Sequence, residues 1–108
     1  GHVVQGHVDG VGTIRAIESE GTSKRMRINA PASLARYLVE KGSVTVDGVS
    51  LTITAVSAIA DEDPWFEIVL IPHTLDVTVF GVRTVGDGVN LEVDILAKYV
   101  ERLMEARG

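Results

Sequence analysis

The chain has no cysteine. Disulfides, thiolate metal sites and a cysteine nucleophile are thereby excluded, and a reducing cytoplasm is the expected compartment. Aromatic residues make up only 5%, and there are three prolines. Basic residues are outnumbered, ten against fifteen acidic, which argues against nucleic acid as the main partner. No long hydrophobic run exists. The longest uninterrupted apolar stretch is Ile68 to Ile71, far short of the ~20 residues a membrane helix needs, so no membrane partner is expected. The first residues show no basic region followed by an apolar one, so no signal peptide is expected. The three histidines, His2, His7 and His73, lack a compact ligand spacing, so no metal site is expected.

What is present is ordinary in balance and distinctive in detail. The 108 residues are 45% hydrophobic and 23% charged, the profile of one soluble globular domain. Seventeen Val, eight Ile and eight Thr make 33 β-branched residues. Such side chains are stiff at χ1 and pack well on a pleated surface. With eleven glycines as punctuation, the pattern points to many short strands in a β-barrel or sandwich.

Several elements can be read along the chain. Val3 to Ile17 is extended, with glycine breaks that suit a bent strand at a barrel corner. Glu18-Ser19-Glu20-Gly21 reads as a polar turn, and Lys24 to Asn29 as a half-buried strand. Pro31 opens a short helix running to Glu40, because proline suits the first helical position. Gly42 is the expected residue just past its end. Ser43–Val46 and Val49–Thr54 alternate on either side of Asp47-Gly48, the strongest short-range hairpin signal. Val44, Val46, Val49, Leu51 and Ile53 then face inward, and Ser50, Thr52 and Thr54 outward. Asp61 to Pro64 is an acidic loop. Trp65 to Ile71 reads as a strand buried on both faces, ended by Pro72. His73 to Phe80 fits a helical turn or a strand, and Gly81 to Gly88 a loop. Val89 to Ile95 alternates again. Ile95, Leu96, Tyr99, Val100, Leu103 and Met104 form an apolar stripe at helical spacing. That helix packs on its own barrel or between subunits.

Candidate chemistry is sparse. Gly6-His7-Val8-Asp9-Gly10-Val11-Gly12 lacks the spacing of a dinucleotide fingerprint. It reads either as a strand bend with a surface histidine or as backbone lying close to a flat ligand, with His7 as donor, acceptor or base. Ser50 and Thr52 are either solvated or turned to a ligand edge. Asp94 falls near the end of the last strand. Ser50, His7 and Asp94 spell a triad by composition, but nothing in their spacing supports one. Pro72-His73-Thr74 ends a buried strand, where loops often carry function.

Three segments together are similar to one family. They are Gly1–Gly12 (GHVVQGHVDGVG), Lys41–Thr52 (KGSVTVDGVSLT) and Leu70–Leu75 (LIPHTL), and the closing stretch Val89–Arg102 also fits. The whole chain resembles the C-terminal lumazine-binding domain of the riboflavin synthases of α-chain type. The resemblance implies an all-β fold, a six-stranded antiparallel Greek-key barrel with a short internal helix and a C-terminal helix used in trimer contacts. The barrel would span residues 1–95 and the helix 96–108. It also implies a reaction: two molecules of 6,7-dimethyl-8-ribityllumazine become riboflavin and a ribitylamino-pyrimidinedione by transfer of a four-carbon unit, with no cofactor. In that family the site lies between an N-terminal barrel and the C-terminal barrel of a neighbouring subunit. This chain corresponds to one barrel, and Ser50 stands where the family's N-terminal half has a cysteine. The expectation is therefore ligand binding with little or no turnover.

Position by position, the resemblance implies ligand contacts at Gly6, His7, Val8, Lys41, Ser50, Leu51, Thr52, Ile71, Pro72, His73 and Thr74. It implies catalytic roles in proton transfer or charge stabilisation for His7, Ser50 and Asp94. The implied partners are 6,7-dimethyl-8-ribityllumazine or riboflavin, the family's N-terminal barrel, and further copies in a homo-oligomer. A non-catalytic lumazine- or flavin-binding module and an oligomerisation domain remain as alternatives.

Overall fold

The computed structural model describes residues 2–3, 7–58, 60–93, 99–100 and 102–105. In chain order the elements are β1 (His2–Val3), β2 (Gly10–Glu20), β3 (Ser23–Asn29), α1 (Ala32–Ala35), β4 (Ser43–Val46), β5 (Val49–Val56), β6 (Trp65–Leu70), α2 (Pro72–Val77), a 3₁₀ turn (Val79–Gly81) and β7 (Gly88–Val93).

All pairings are antiparallel, in the order β1-β5-β4-β7-β2-β3-β6, and β5 also pairs with β6. That last pairing closes β2 to β7 into a six-stranded barrel. β4, β5 and β6 follow one another around the wall, and β7 returns to lie beside β4, which is the Greek-key arrangement. Closure leaves no long open edge. Two register shifts bend the wall. Arg15 is the extra residue between Ile14 and Ala16, and Thr54 the extra residue between Ile53 and Ala55. Bulges of this kind increase local twist and turn barrel corners.

The interior follows the alternation. Ile14, Met26, Ile28, Val44, Val46, Val49, Ile53, Phe66, Ile68, Val89 and Leu91 are buried, and Phe80 joins them from the 3₁₀ turn. Gly12 is buried against β3: a Cβ there would lie 2.6 Å from the Asn29 carbonyl oxygen.

The Asp47-Gly48 hairpin forms as expected, with φ of 47° and 82° and Val46 opposite Val49. Positive φ at both positions is what a type I′ turn requires. Asp47 also reaches across to β7. The Asn90 N–H donates to its carboxylate at 2.8 Å, and its own N–H donates to the Asn90 carbonyl. Arg83 adds a guanidinium 3.0 Å from the same carboxylate.

Three expectations are corrected. The helix after Pro31 stops at Ala35 rather than Glu40. The left-handed residue beyond it is Lys41, with φ 70°, and not Gly42. Lys41 is held there because its N–H donates to the Ile53 carbonyl at 2.8 Å, while the Ile53 N–H donates to Gly42. Main-chain bonding to β5 thus overrides helical propensity. Glu18 to Glu20 continue β2, and the turn is Gly21-Thr22.

The outward face of β6 is covered by side chains rather than by a second layer. Glu67 is buried there, with Arg27 Nε 3.2 Å and Arg25 Nε 3.8 Å from its carboxylate oxygens. Thr54 donates to the same carboxylate at 2.8 Å, and the Arg27 guanidinium stacks 4.4 Å above Trp65. The ambiguous stretch after Ile71 is helical, with Pro72 in the first turn. Residues 99–100 and 102–105 are helical. Residues 96–98, the expected start of that helix, lie outside the described residues.

Candidate functional site

The expected contact residues fall into two groups, one placed by β5 and its neighbours and the other by the approach to β2 alongside β7. The first gathers around Ser50, Leu51 and Thr52. Here β5 has β4 on one side along its start, Thr45 facing Ser50 and Ser43 facing Thr52. On the other side, β1 pairs at Val49 and Ser50, and β6 begins at Ile53. Among the described residues, none of β1 or β6 is registered opposite Leu51 or Thr52. Both main-chain groups of Ile53 bond toward the β4 side, to Lys41 and Gly42. Alternation along a strand therefore turns the N–H and C=O of Thr52 away from β4, to the side on which β1 and β6 lie.

The rest of this group surrounds that interval. The exit of β6, Leu70-Ile71, follows two and three residues beyond Ile68, which faces Ile53. Ile71 is extended and 50% exposed, and Pro72 and His73 follow it onto the surface. Lys41 is exposed, one main-chain bond from Ile53. Leu51 points into the core, and Thr74, within α2, is buried at 3% exposure. These two can offer a ligand main chain or packing, whereas Lys41, Ser50, Thr52 and His73 can offer side chains.

The second group is His7 and Val8. They stand exposed just before Asp9, which bonds to β7 at Leu91 and Val93. Val93 faces Val44, and Val44 faces Leu51, so the two groups share one row of the barrel. By the spacing of strands, Val93 and Leu51 are about 10 Å apart. Gly6 and Asp94, also expected at the site, lie outside the described residues.

Sequence reasoning passed over two side chains here. Asp9 was noted only as part of a glycine-rich segment, and Asp47 only as half of a turn. The signal in each case was an acidic residue beside a glycine, which reads as turn chemistry unless its distant partner is known. A cavity of about 170 Å³, lined by Leu38, Val39, Val56, Pro64 and Trp65 among others, opens beside α1 and contains none of the expected residues. Among the described residues, no three His, Asp or Glu side chains stand together as a metal site would require, and no helix is long and apolar enough to cross a membrane.

Comparison with known proteins adds independent findings. The sequence model of the lumazine binding domain matches residues 5–94. The riboflavin synthase of Mycobacterium bovis is 54% identical over 108 residues, covering 100% of this chain and 53% of that protein. Those of Photobacterium phosphoreum and Bacillus subtilis are 45% and 44% identical over 104 residues, 96% of this chain and 45% and 46% of theirs. The chain thus spans about half the length of the curated relatives it matches. Among solved structures, LumP complexed with 6,7-dimethyl-8-(1'-D-ribityl) lumazine superposes with a TM-score of 0.71 at 29% identity, covering 83% of this chain and 47% of that one. LumP complexed with flavin mononucleotide gives 0.72 at 29% identity, with 83% and 48% coverage.

Proposed function

The chain belongs to the lumazine-binding domain family, and from that premise we propose that it binds 6,7-dimethyl-8-ribityllumazine as the C-terminal half of a riboflavin synthase. The observation that carries this reading is the start of β5, where Ser50 and Thr52 lie on the strand between β4 on one side and β1 and β6 on the other. A pteridine edge presents donors and acceptors in alternation, and the main chain of a strand carries the same alternation. The hydroxyls of Ser50 and Thr52 extend that edge. Lys41 and His73 suit the ribityl hydroxyls, and Ile71 supplies apolar surface for the ring.

In the two-barrel enzyme the second lumazine comes from the N-terminal barrel of a neighbouring copy. One lumazine gives up four carbons and leaves as the ribitylamino-pyrimidinedione; the other accepts them and becomes riboflavin. The reaction begins with loss of a proton from the acidic C7 methyl. His7 and Asp94 suit that transfer, and Ser50 can donate a hydrogen bond to the charge that develops on the ring. No external redox partner or cofactor is required, because one substrate is the donor and the other the acceptor.

Titration of this chain with 6,7-dimethyl-8-ribityllumazine, followed by the ligand's emission, tests the reading. Saturable change without riboflavin emission is expected of one half-site. Riboflavin appearing would mean that two C-terminal barrels assemble a working site. No change in emission would overturn the binding reading.

A second reading rests on the exposed helical residues near the end of the chain. Tyr99, Val100, Leu103 and Met104 are 58%, 56%, 65% and 67% exposed. An apolar face of this kind is suited to packing against other copies. Sedimentation of wild type against Leu103→Glu tests it: a shift to smaller species is expected, and identical profiles would remove the reading.

A further inference from the structure

The pairing of β2 with β7 runs from Thr13 opposite Gly88 to Gly10 opposite Leu91. One residue beyond it, the ladder changes character. The Asp9 N–H donates to the Leu91 carbonyl at 2.8 Å. The next free donor on β7, the Val93 N–H, donates not to a main-chain carbonyl but to Asp9 Oδ2, at 2.9 Å. A carboxylate therefore occupies the place where residues 7 and 8 would have continued the sheet. Released from pairing, His7 and Val8 carry no strand geometry and stand exposed, Val8 by 51%. Asp9 itself is half-buried. Charge-assisted bonds to main-chain N–H groups are short and directional, so the departure point of the segment is fixed.

We infer that Asp9 is a positioning residue for His7: its carboxylate ends the β2–β7 ladder in place of main chain and so sets where the His7–Val8 segment leaves the barrel wall toward the ligand. The inference rests on the lumazine-binding reading above. It assigns Asp9 no contact with the ligand. Its effect passes through His7 and through the end of β7.

Three variants separate this from a merely structural role. Asp9→Ala removes the acceptor, Asp9→Asn keeps an acceptor oxygen at the same reach, and Asp9→Glu keeps the charge but moves the oxygen by one methylene. Each is measured in the full 108-residue chain, alone and combined with His7→Ala. The first readout needs no ligand: exchange of the Val93 amide by NMR, relative to Leu91. The second is the Kd for 6,7-dimethyl-8-ribityllumazine from its emission.

The expected result is at least tenfold faster exchange at Val93 in Asp9→Ala, with Asp9→Asn close to wild type. Asp9→Ala should also weaken lumazine binding about tenfold. His7→Ala should weaken binding in wild type and in Asp9→Asn, but add almost nothing in Asp9→Ala, since a residue acting through another is non-additive with it. Should Asp9→Ala not fold, Asp9→Glu decides: loss of Val93 protection and of the His7 effect supports the inference, and retention of both overturns it. Additive effects of His7→Ala and Asp9→Ala, or wild-type Val93 exchange in Asp9→Ala, overturn it as well. If wild type does not bind lumazine at all, the ligand reading and this inference fail together. If wild type binds and the cycle is additive, the inference alone fails.

Discussion

Lys41 should be a residue whose removal weakens the ligand site and whose choice of replacement sets the stability. It sits at φ 70°, a conformation that costs a residue with a Cβ roughly 1–2 kcal/mol. The main-chain bonds to Ile53 on either side of it hold that conformation. Lys41→Ala and Lys41→Gly both remove the ammonium, but only glycine relieves the left-handed cost. Glycine loses about 0.5–1 kcal/mol of that gain to the greater freedom of its unfolded chain. The glycine variant should therefore exceed the alanine variant by about 0.5–1 kcal/mol, or roughly 2–8 °C in Tm for a domain near this size. Lumazine affinity should fall about tenfold or more in both, consistent with loss of a charged hydrogen bond worth roughly 1.5–3 kcal/mol. Thermal unfolding by circular dichroism and titration of ligand emission measure the two effects separately. An alanine variant as stable as the glycine variant would refute the left-handed assignment. Unchanged affinity in both would remove Lys41 from the site.

Two further substitutions probe the barrel that carries the site. Gly12→Ala drives a Cβ to 2.6 Å from the Asn29 carbonyl oxygen and 2.8 Å from Leu91 Cδ1; overpacking of this kind should cost about 1–3 kcal/mol, read as a lowered denaturant midpoint, and an unchanged midpoint would mean that β2 and β3 sit further apart. Glu67→Gln removes the charge that Arg25 and Arg27 share. Because those side chains are 38% and 46% exposed, solvent recovers part of the loss, so the expected cost is about 1–2 kcal/mol, less than for a fully buried pair; denaturant unfolding of the variant with stability equal to wild type would show that the carboxylate contributes packing alone.

The parts of this fold that could be read from sequence are those decided by neighbours in the chain. The hairpin through Asp47-Gly48 needed only local alternation and two residues tolerant of positive φ. The short helix was misjudged in length because its end is set by Ile53, a dozen residues beyond Lys41, and propensity carries no trace of that partner. Trp65 to Ile71 reads as a strand buried on both faces; Phe66, Glu67, Ile68 and Leu70 are buried, whereas Trp65 and Val69 are half-buried and Ile71 is exposed beyond the strand's end. Glu67 is covered by arginines from β3 and a threonine from β5, a network that periodicity does not encode. The site is harder still. Ser50 and Thr52 stood out only as polar positions on an alternating strand. What surrounds them, β4 on one side and β1 and β6 on the other, is visible only once those strands have paired with β5. The family resemblance gathered these residues because it carried a three-dimensional arrangement with it.

The Asp47 carboxylate has a consequence for how the barrel assembles. β4 and β5 are joined by two residues and can meet early, whereas β7 must find β4 across more than forty positions of chain, so its arrival is entropically slow. A late strand is prone to settling one residue out of step. Such a slip would turn Val89, Leu91 and Val93 out to water and bring Asn90 and Glu92 into the core. It would also break both Asp47–Asn90 bonds and carry Asn90 away from the carboxylate that Arg83 shares. The hairpin tip thus works as a proofreading device: it rewards only the alignment in which the last strand closes the wall correctly.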